Sequence, residues 1–215
     1  METDFDARTL LTRTFDMLAE KMAPGLVALI ALLALGVAGD LYRPDSFSSL
    51  PFSMGAIAAQ YFVVRRLLPM QPDFLSHPGG FGTFFGVALL VGIGTALGVV
   101  LLILPGLYLW VRWSIAVPVA IAEREPVGAA IGESWRRTNG HVIPIALCGL
   151  LIWGPMLVGA GLVGYWEGLG RGVSIPLVLL ANILAVTPTV LGWYLSVAVY
   201  ELLSGRTSEL AEVFA

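Results

Sequence analysis

Arg112 stands in a long apolar tract, seven residues into a stretch that begins at Pro105, between Trp110 and Trp113. A guanidinium at that depth of a membrane costs at least about 2.5 kcal/mol, so it calls for a partner, water or a ligand. Asn182, at a similar depth in the last apolar tract, is the expected hydrogen-bond partner, and Ser114 extends the same polar route. The competing reading is that Arg112 snorkels to the outer headgroups, with Tyr108 and Trp110 as an aromatic belt. Arg136 and Arg137 form a basic pair. They are expected to touch anionic lipid headgroups, each contributing about 1 kcal/mol near the surface. Little else could do chemistry. The two histidines are His77, in a Ser-His-Pro-Gly-Gly loop with no second His or Cys beside it, and His141, at the entry to a tract. No Ser or Cys nucleophile is spaced with a base and an orienting acid, so no catalytic site, metal or cofactor is expected. Asp40, Glu123 and Glu201 fall at tract ends, and the glycine-rich stretch 168–172 lacks the Lys and Ser or Thr of a phosphate loop. The single cysteine, Cys148, allows no internal disulfide and reads as a small buried apolar residue.

The elements that must position these residues are set by composition. Hydrophobic residues make up 57% of the 215 and charged ones 13%, where a soluble domain carries about a quarter. The net charge of -3 leaves no basic footprint for nucleic acid. Windows of about 20 apolar residues, the length that crosses roughly 30 Å of hydrocarbon, fall at 24–41, 48–64, 82–104, 105–122, 142–163 and 174–200. The third and fourth are contiguous and are divided at Pro105-Gly106, because one helix of about 40 residues would reach about 60 Å, twice the membrane thickness. Basic residues test the division. With the N-terminus inside, Arg8, Arg13, Lys21, Arg65, Arg66, Arg124, Arg136, Arg137 and Arg206 are cytoplasmic, whereas Arg43 and Arg171 are outside. That asymmetry obeys the positive-inside rule only if all six tracts cross, and it puts both termini in the cytoplasm. A cleaved signal at 24–38 fits poorly, because the residues before it include Glu2, Asp4, Asp6, Asp16 and Glu20.

Two further segments, 5–22 and 126–139, have apolar residues at helical spacing: Leu11, Phe15, Leu18 and Met22 in one, Val127, Ala130, Ile131, Ser134 and Trp135 in the other. They read as interfacial helices. The segments align at an offset of 120 residues, Arg13-Thr14-Phe15 over Glu133-Ser134-Trp135 and Pro24 over Pro144. Each leads into an outward and a returning tract, which suggests two parallel copies flanking a central hairpin at 82–122. Gly82, Gly86, Gly94 and Gly98 form one stripe on that hairpin, suited to close helix packing within the chain. The expected fold is thus an all-α integral membrane protein with six transmembrane helices and two cytoplasmic-side interfacial helices. Pro118 and Pro188 are helix-breaking residues inside tracts.

The tract 104–141, LPGLYLWVRWSIAVPVAIAEREPVGAAIGESWRRTNGH, resembles the signature of the glycerophosphoryl diester phosphodiesterase membrane-domain family. The positions that carry the resemblance are Pro105, Gly106, Arg112, Pro118, Glu123, Ser134, Trp135 and Gly140; Thr138-Asn139 departs from the family's more usual Leu-Thr. The resemblance implies a small six-span protein of the bacterial inner membrane. It implies no phosphodiesterase, because that activity belongs to a separate soluble barrel whose His pairs and metal-binding carboxylates this sequence lacks. Three readings of function follow. The first is a non-enzymatic protein that binds or organises membrane lipids, anionic ones included, through Arg112, Arg136 and Arg137. The second is a small secondary transporter or exporter, suggested by the repeat and the prolines within tracts. The third, a lipid-modifying enzyme, ranks last because His and acidic residues are missing from the tract interiors.

Overall fold

A computed structural model describes residues 5–42, 49–68, 80–169 and 174–213, with side chains of the last helix up to Ser204. His77, Arg43 and Arg171, and most of the glycine-rich stretch 168–172, lie outside the described residues. In chain order the helices are α1 (Ala7–Glu20), α2 (Met22–Tyr42), α3 (Ser49–Leu67), α4 (Gly80–Leu101), α5 (Ile103–Arg112), α6 (Ala116–Ala122), α7 (Val127–Arg137), α8 (Val142–Gly168) and α9 (Ile175–Val213). Five stretches are long and apolar enough to cross a membrane: Met22–Leu41, Gly80–Leu101, Leu104–Ala122, Val142–Trp166 and Ile175–Ser204. The chain is therefore a multi-span helical membrane protein. The expected second span, now α3, is not among the five. It has 19 residues, but Ser53, Gln60, Arg65 and Arg66 dilute its apolar character.

The spans are apolar on most faces, and many of their large side chains, such as Val27, Ile30, Leu90 and Leu157, remain exposed. Such faces suit lipid as solvent. One extended residue, Leu102 (φ -164°, ψ 133°), separates α4 from α5. The hairpin thus turns three residues before the expected Pro105-Gly106. The reason is positional: proline is tolerated in the first helical turn, where its missing N–H would have no partner anyway, so Pro105 lies inside the first turn of α5 rather than in the turn between the helices. The glycine stripe serves more than one purpose. A Cβ on Gly98 would lie 2.8 Å from the Cα of Gly106, so here the backbones of α4 and α5 do meet, whereas Gly94 seats the Trp113 ring and Gly82 faces nothing within 4 Å.

The two amphipathic helices turn their buried faces toward protein. Asp6 caps α1 by accepting from the Thr9 N–H at 2.7 Å, and Leu10, Thr14 and Met17 are buried. This face packs on α8 and α9, where the Cys148 thiol donates to the Ala7 carbonyl at 3.3 Å. Helix α7 packs on α6 and α4 through Ala130 and Ser134. Tyr194 closes the core at the start of α2: its hydroxyl donates to the Lys21 carbonyl (2.7 Å) and accepts from the Gly25 N–H (3.2 Å). Lys21 Nζ in turn donates to the Leu67 carbonyl at 2.5 Å, which brings the end of α3 back to the beginning of α2. Prolines 155 and 188 stay inside continuous helices, so Pro188 does not break α9.

Gly106→Ala should force the hairpin apart, because the new Cβ would lie under 3.0 Å from the Val99 backbone, whereas a Cβ on Gly92 meets nothing within 4 Å. Thermal unfolding in detergent should show a loss of about 1–3 kcal/mol for Gly106→Ala and little change for Gly92→Ala. Equal stability of the two variants would contradict the close α4–α5 crossing.

Candidate functional site

The fourth tract is two half-helices, α5 and α6, separated by a turn at 113–115. Pro118 has no N–H, so the Ser114 carbonyl loses the donor that an uninterrupted helix would supply from four residues on. The Ser196 hydroxyl of α9 takes that place, donating to the Ser114 carbonyl at 2.6 Å. The Ala116 N–H bonds to the Trp113 carbonyl at 3.1 Å, which leaves the Arg112 carbonyl open as well. Ser134 of α7 donates to it at 2.8 Å, and the Thr138 hydroxyl lies 3.3 Å away. The interruption is thus made by a proline and satisfied by hydroxyls from two other helices. This arrangement fixes α7 beside the end of α5.

Arg112 is 3% exposed. Its guanidinium carbon lies 4.4 Å from the centroid of the Trp135 ring and 5.9 Å from that of Tyr108, and these two rings meet edge to face at 5.7 Å. Nη1 donates to Asn139 Oδ1 at a long 3.4 Å, and Nε is buried without an acceptor among the described residues. No carboxylate pairs with it among those residues. A cation over two rings gains about 2 kcal/mol or more when desolvated, close to the insertion cost, but the hydrogen-bonding capacity of the group is largely unused. Asn182 is elsewhere. It donates to Asp40 at 2.7 Å and to the Val178 carbonyl at 2.9 Å, tying α9 to the end of α2, so the expected Arg112–Asn182 pair does not form. Snorkelling past Tyr108 and Trp110 is replaced by cover from α7.

Arg136 and Arg137 part company. Arg136, with a side chain 65% exposed, pairs among the described residues only with its neighbour Glu133. Arg137, at 12%, turns inward: its Nη atoms grip both oxygens of Glu123 at 2.6 and 2.8 Å, Nε reaches Glu133, and Nη1 also donates to Ser204 at 3.1 Å. Tyr200 donates to the same Glu123 carboxylate at 2.9 Å. Arg137 is therefore a clamp joining the end of α6 to α7 and α9. The hydrogen bond from Arg136, and then that from Arg137, hold the Glu133 carboxyl down to about 2 from 4.5. Its pairing contributes fully above the unfolded value of 4.5 and is lost as pH falls toward 2. Arg13 forms a second link at this end, donating to Glu201 at 2.7 Å.

On the other side of the 113–115 turn is a cavity of about 300 Å³ among α3, α4, α5, α6, α8 and α9. Four tryptophans, Trp110, Trp113, Trp153 and Trp193, line it with Gln60 and Ser114. Three of these rings sit where a facing helix carries glycine: Trp113 on Gly94, Trp110 on Gly149 and Trp153 on Gly192. The sequence shows the tryptophans and the glycines, but only folding matches each ring with its seat. No protein-family model, no curated protein and no solved structure matches the chain.

Arg137→Ala should destabilise the protein far more than Arg136→Ala. Breaking a buried pair costs about 3–5 kcal/mol and removing an exposed one about 0–1; the Arg137–Glu123 pair is part-buried, at 12% and 28% exposure, so its loss should fall between the two. Unfolding measured in detergent for both variants checks the difference, and similar losses would place Arg137 at the surface.

Proposed function

We propose that this chain is a non-enzymatic, lipid-binding protein of the bacterial inner membrane, with Arg112 as the group that takes an anionic headgroup oxygen. The observation that carries this reading is the state of Arg112. A guanidinium has five N–H donors, and here one long bond to Asn139 is the hydrogen bond it makes among the described residues. Trp135, the ring that covers it, is itself 38% exposed, so rotation of one indole opens the guanidinium to a phosphate arriving from the surface. Planar, bidentate gripping of phosphate is what arginine does better than lysine.

A six-crossing topology with both termini cytoplasmic belongs to the same proposal. It is supported by the return of Leu67 to Lys21, which makes α2 and α3 an out-and-back pair, and by the gathering of Arg13, Glu123, Glu133, Arg137 and Glu201 at one end of the bundle. A parallel repeat is supported by register: α1 and α2 begin at Ala7 and Met22, α7 and α8 at Val127 and Val142, a displacement of 120 residues in both cases. Buried positions follow the same displacement at Leu10 and Ala130, Thr14 and Ser134, Ala28 and Cys148, and Leu32 and Ile152. Membership of the glycerophosphoryl diester phosphodiesterase membrane-domain family remains part of the reading, carried by 104–141. The interrupted fourth span favours a second reading, transport, since broken helices line the substrate sites of many transporters.

Mass spectrometry of lipids retained by the purified protein tests the first reading. Wild type should keep an anionic phospholipid in stoichiometric amount, Arg112→Lys should keep less, and Arg112→Leu should lose it while still unfolding cooperatively. Equal lipid content in all three would remove Arg112 as the site, and substrate-dependent flux in proteoliposomes would select the transport reading.

A further inference from the structure

Asp40 stands in the last turn of α2, at the end of the bundle away from Lys21 and Glu201, and no Lys or Arg among the described residues pairs with it. Its partner is the amide of Asn182, a residue 8% exposed. Both hydrogens of that amide are spent, on Asp40 at 2.7 Å and on the Val178 carbonyl at 2.9 Å, and these two acceptors fix which end is nitrogen. The oxygen, Oδ1, lies against Gly36, where a Cβ would collide with it and would stand 3.5 Å from the Phe52 ring. Gly36 and Asp40, four residues apart, share one face of α2. Amide oxygen, carboxylate and ring thus meet along a single strip of that helix, and a cavity of about 230 Å³ is lined there by Gly36, Gly39, Asp40, Phe52 and Asn182. Nothing among the described residues donates to Oδ1, yet the atom keeps accessible surface within a buried side chain. We propose that this cavity binds a primary ammonium group carried on a short apolar tail, its N–H donors shared between Asp40 and Asn182 Oδ1.

Each property of the ligand follows from the lining. Asp40 is the charged side chain there, so a cation is favoured and an anion excluded. The open positions, Oδ1 of Asn182 and the remaining lone pairs of the carboxylate, only accept, so the cation must donate; an ammonium has three donors and no acceptor. A metal ion is a poorer match, because calcium takes about six to eight oxygens and magnesium a full octahedron, whereas Asp40 and Asn182 together supply three at most. Leu35, Phe52 and Ala185 give the tail apolar contacts, and the volume, under the roughly 300 Å³ at which drug-sized sites begin, keeps it short. Asp40 is exposed, so the ligand enters from the end of the bundle. Two sources of a primary ammonium meet that end of the bundle: a free alkylamine from solution and an aminolipid headgroup. The site lies on α2 and α9, apart from Arg112, and does not rest on the reading given to that residue.

The probes are butylammonium, butan-1-ol, which has the same tail without the charge, and tetramethylammonium, which has the charge without an N–H. Calorimetric titration of the full chain in maltoside micelles and amine-free buffer should show saturable binding of one butylammonium per chain. Each of the other two should bind roughly tenfold more weakly, the factor expected when charge-assisted hydrogen bonds are lost. Asp40→Asn still offers an oxygen to the Asn182 amide, so the tie between α2 and α9 is kept, and it should erase most of the preference for butylammonium over butanol. Repeating the titration in phosphatidylcholine nanodiscs with and without phosphatidylethanolamine separates the sources: a lower affinity in the presence of phosphatidylethanolamine assigns the site to that headgroup, and an unchanged one assigns it to a free amine. Absence of saturable binding, equal affinity for butylammonium and either other probe, displacement by sodium or calcium at equal concentration, or a preference that survives Asp40→Asn would overturn the assignment. The wild-type comparisons stand even if the variant fails to fold, and their failure would leave anionic lipid retention at Arg112 untouched.

Discussion

A single missing N–H, that of Pro118, organises the middle of this protein. Inside a bilayer no water satisfies an open carbonyl, so interrupting a spanning helix demands donors from neighbours. The chain supplies them as hydroxyls. Ser196 answers the Ser114 carbonyl and Ser134 answers that of Arg112. Each of these bonds also fixes a helix, α9 on one side of the turn and α7 on the other. From the placement of α7 follow the cover of Trp135 over Arg112 and the reach of Arg137 to Glu123. Arg112, Pro118, Glu123, Ser134 and Trp135 build this unit, and Gly140 ends it with φ 81°. Such a backbone is strained for any residue with a side chain.

Among the described residues the ionic links are concentrated at one end of the bundle, and they are of unequal kind. Arg137 is enclosed between two carboxylates and a tyrosine, so its charges are matched where solvent is scarce. Arg136 stands in the open and contributes little to folding, although it keeps a positive charge facing outward. Tyr194 and Lys21 add uncharged or single-donor links at the same end, each made to a backbone carbonyl. Away from this end the helices are joined mainly by apolar and glycine contacts, with Asn182 and Asp40 as a polar tie between α2 and α9. The apolar outer faces then need only lipid.

The fold was legible in the sequence as far as periodicity and length reach. Apolar tracts located the spans, and the amphipathic pattern located α1 and α7 to within about two residues, because those signals are local. The hairpin turns three residues before the expected Pro105-Gly106, because Pro105 is accommodated as the third residue of α5, inside its first turn, and the turn itself is made at Leu102. The character of the site was less legible. Arg112 stood out as a buried charge, yet its cover comes from Trp135, and the partner assigned to it, Asn182, bonds to Asp40, 142 residues away. The two arginines of one dipeptide differ in burial because consecutive helical residues do not share a face, although both reach Glu133. The tryptophan seats depend on glycines of other helices, a match that no single stretch of sequence displays.

The central claim is that Pro118 leaves a carbonyl that Ser196 must satisfy. A double-mutant cycle on unfolding free energy in detergent measures this directly. In the native background Ser196→Ala should cost on the order of 1–2 kcal/mol, since it leaves the Ser114 carbonyl unsatisfied. After Pro118→Ala, residue 118 regains an N–H able to reach that carbonyl, so the same Ser196→Ala change should cost much less, giving a coupling of about 1 kcal/mol. An equal cost of Ser196→Ala in the two backgrounds would show that the interruption of the fourth span does not originate at Pro118.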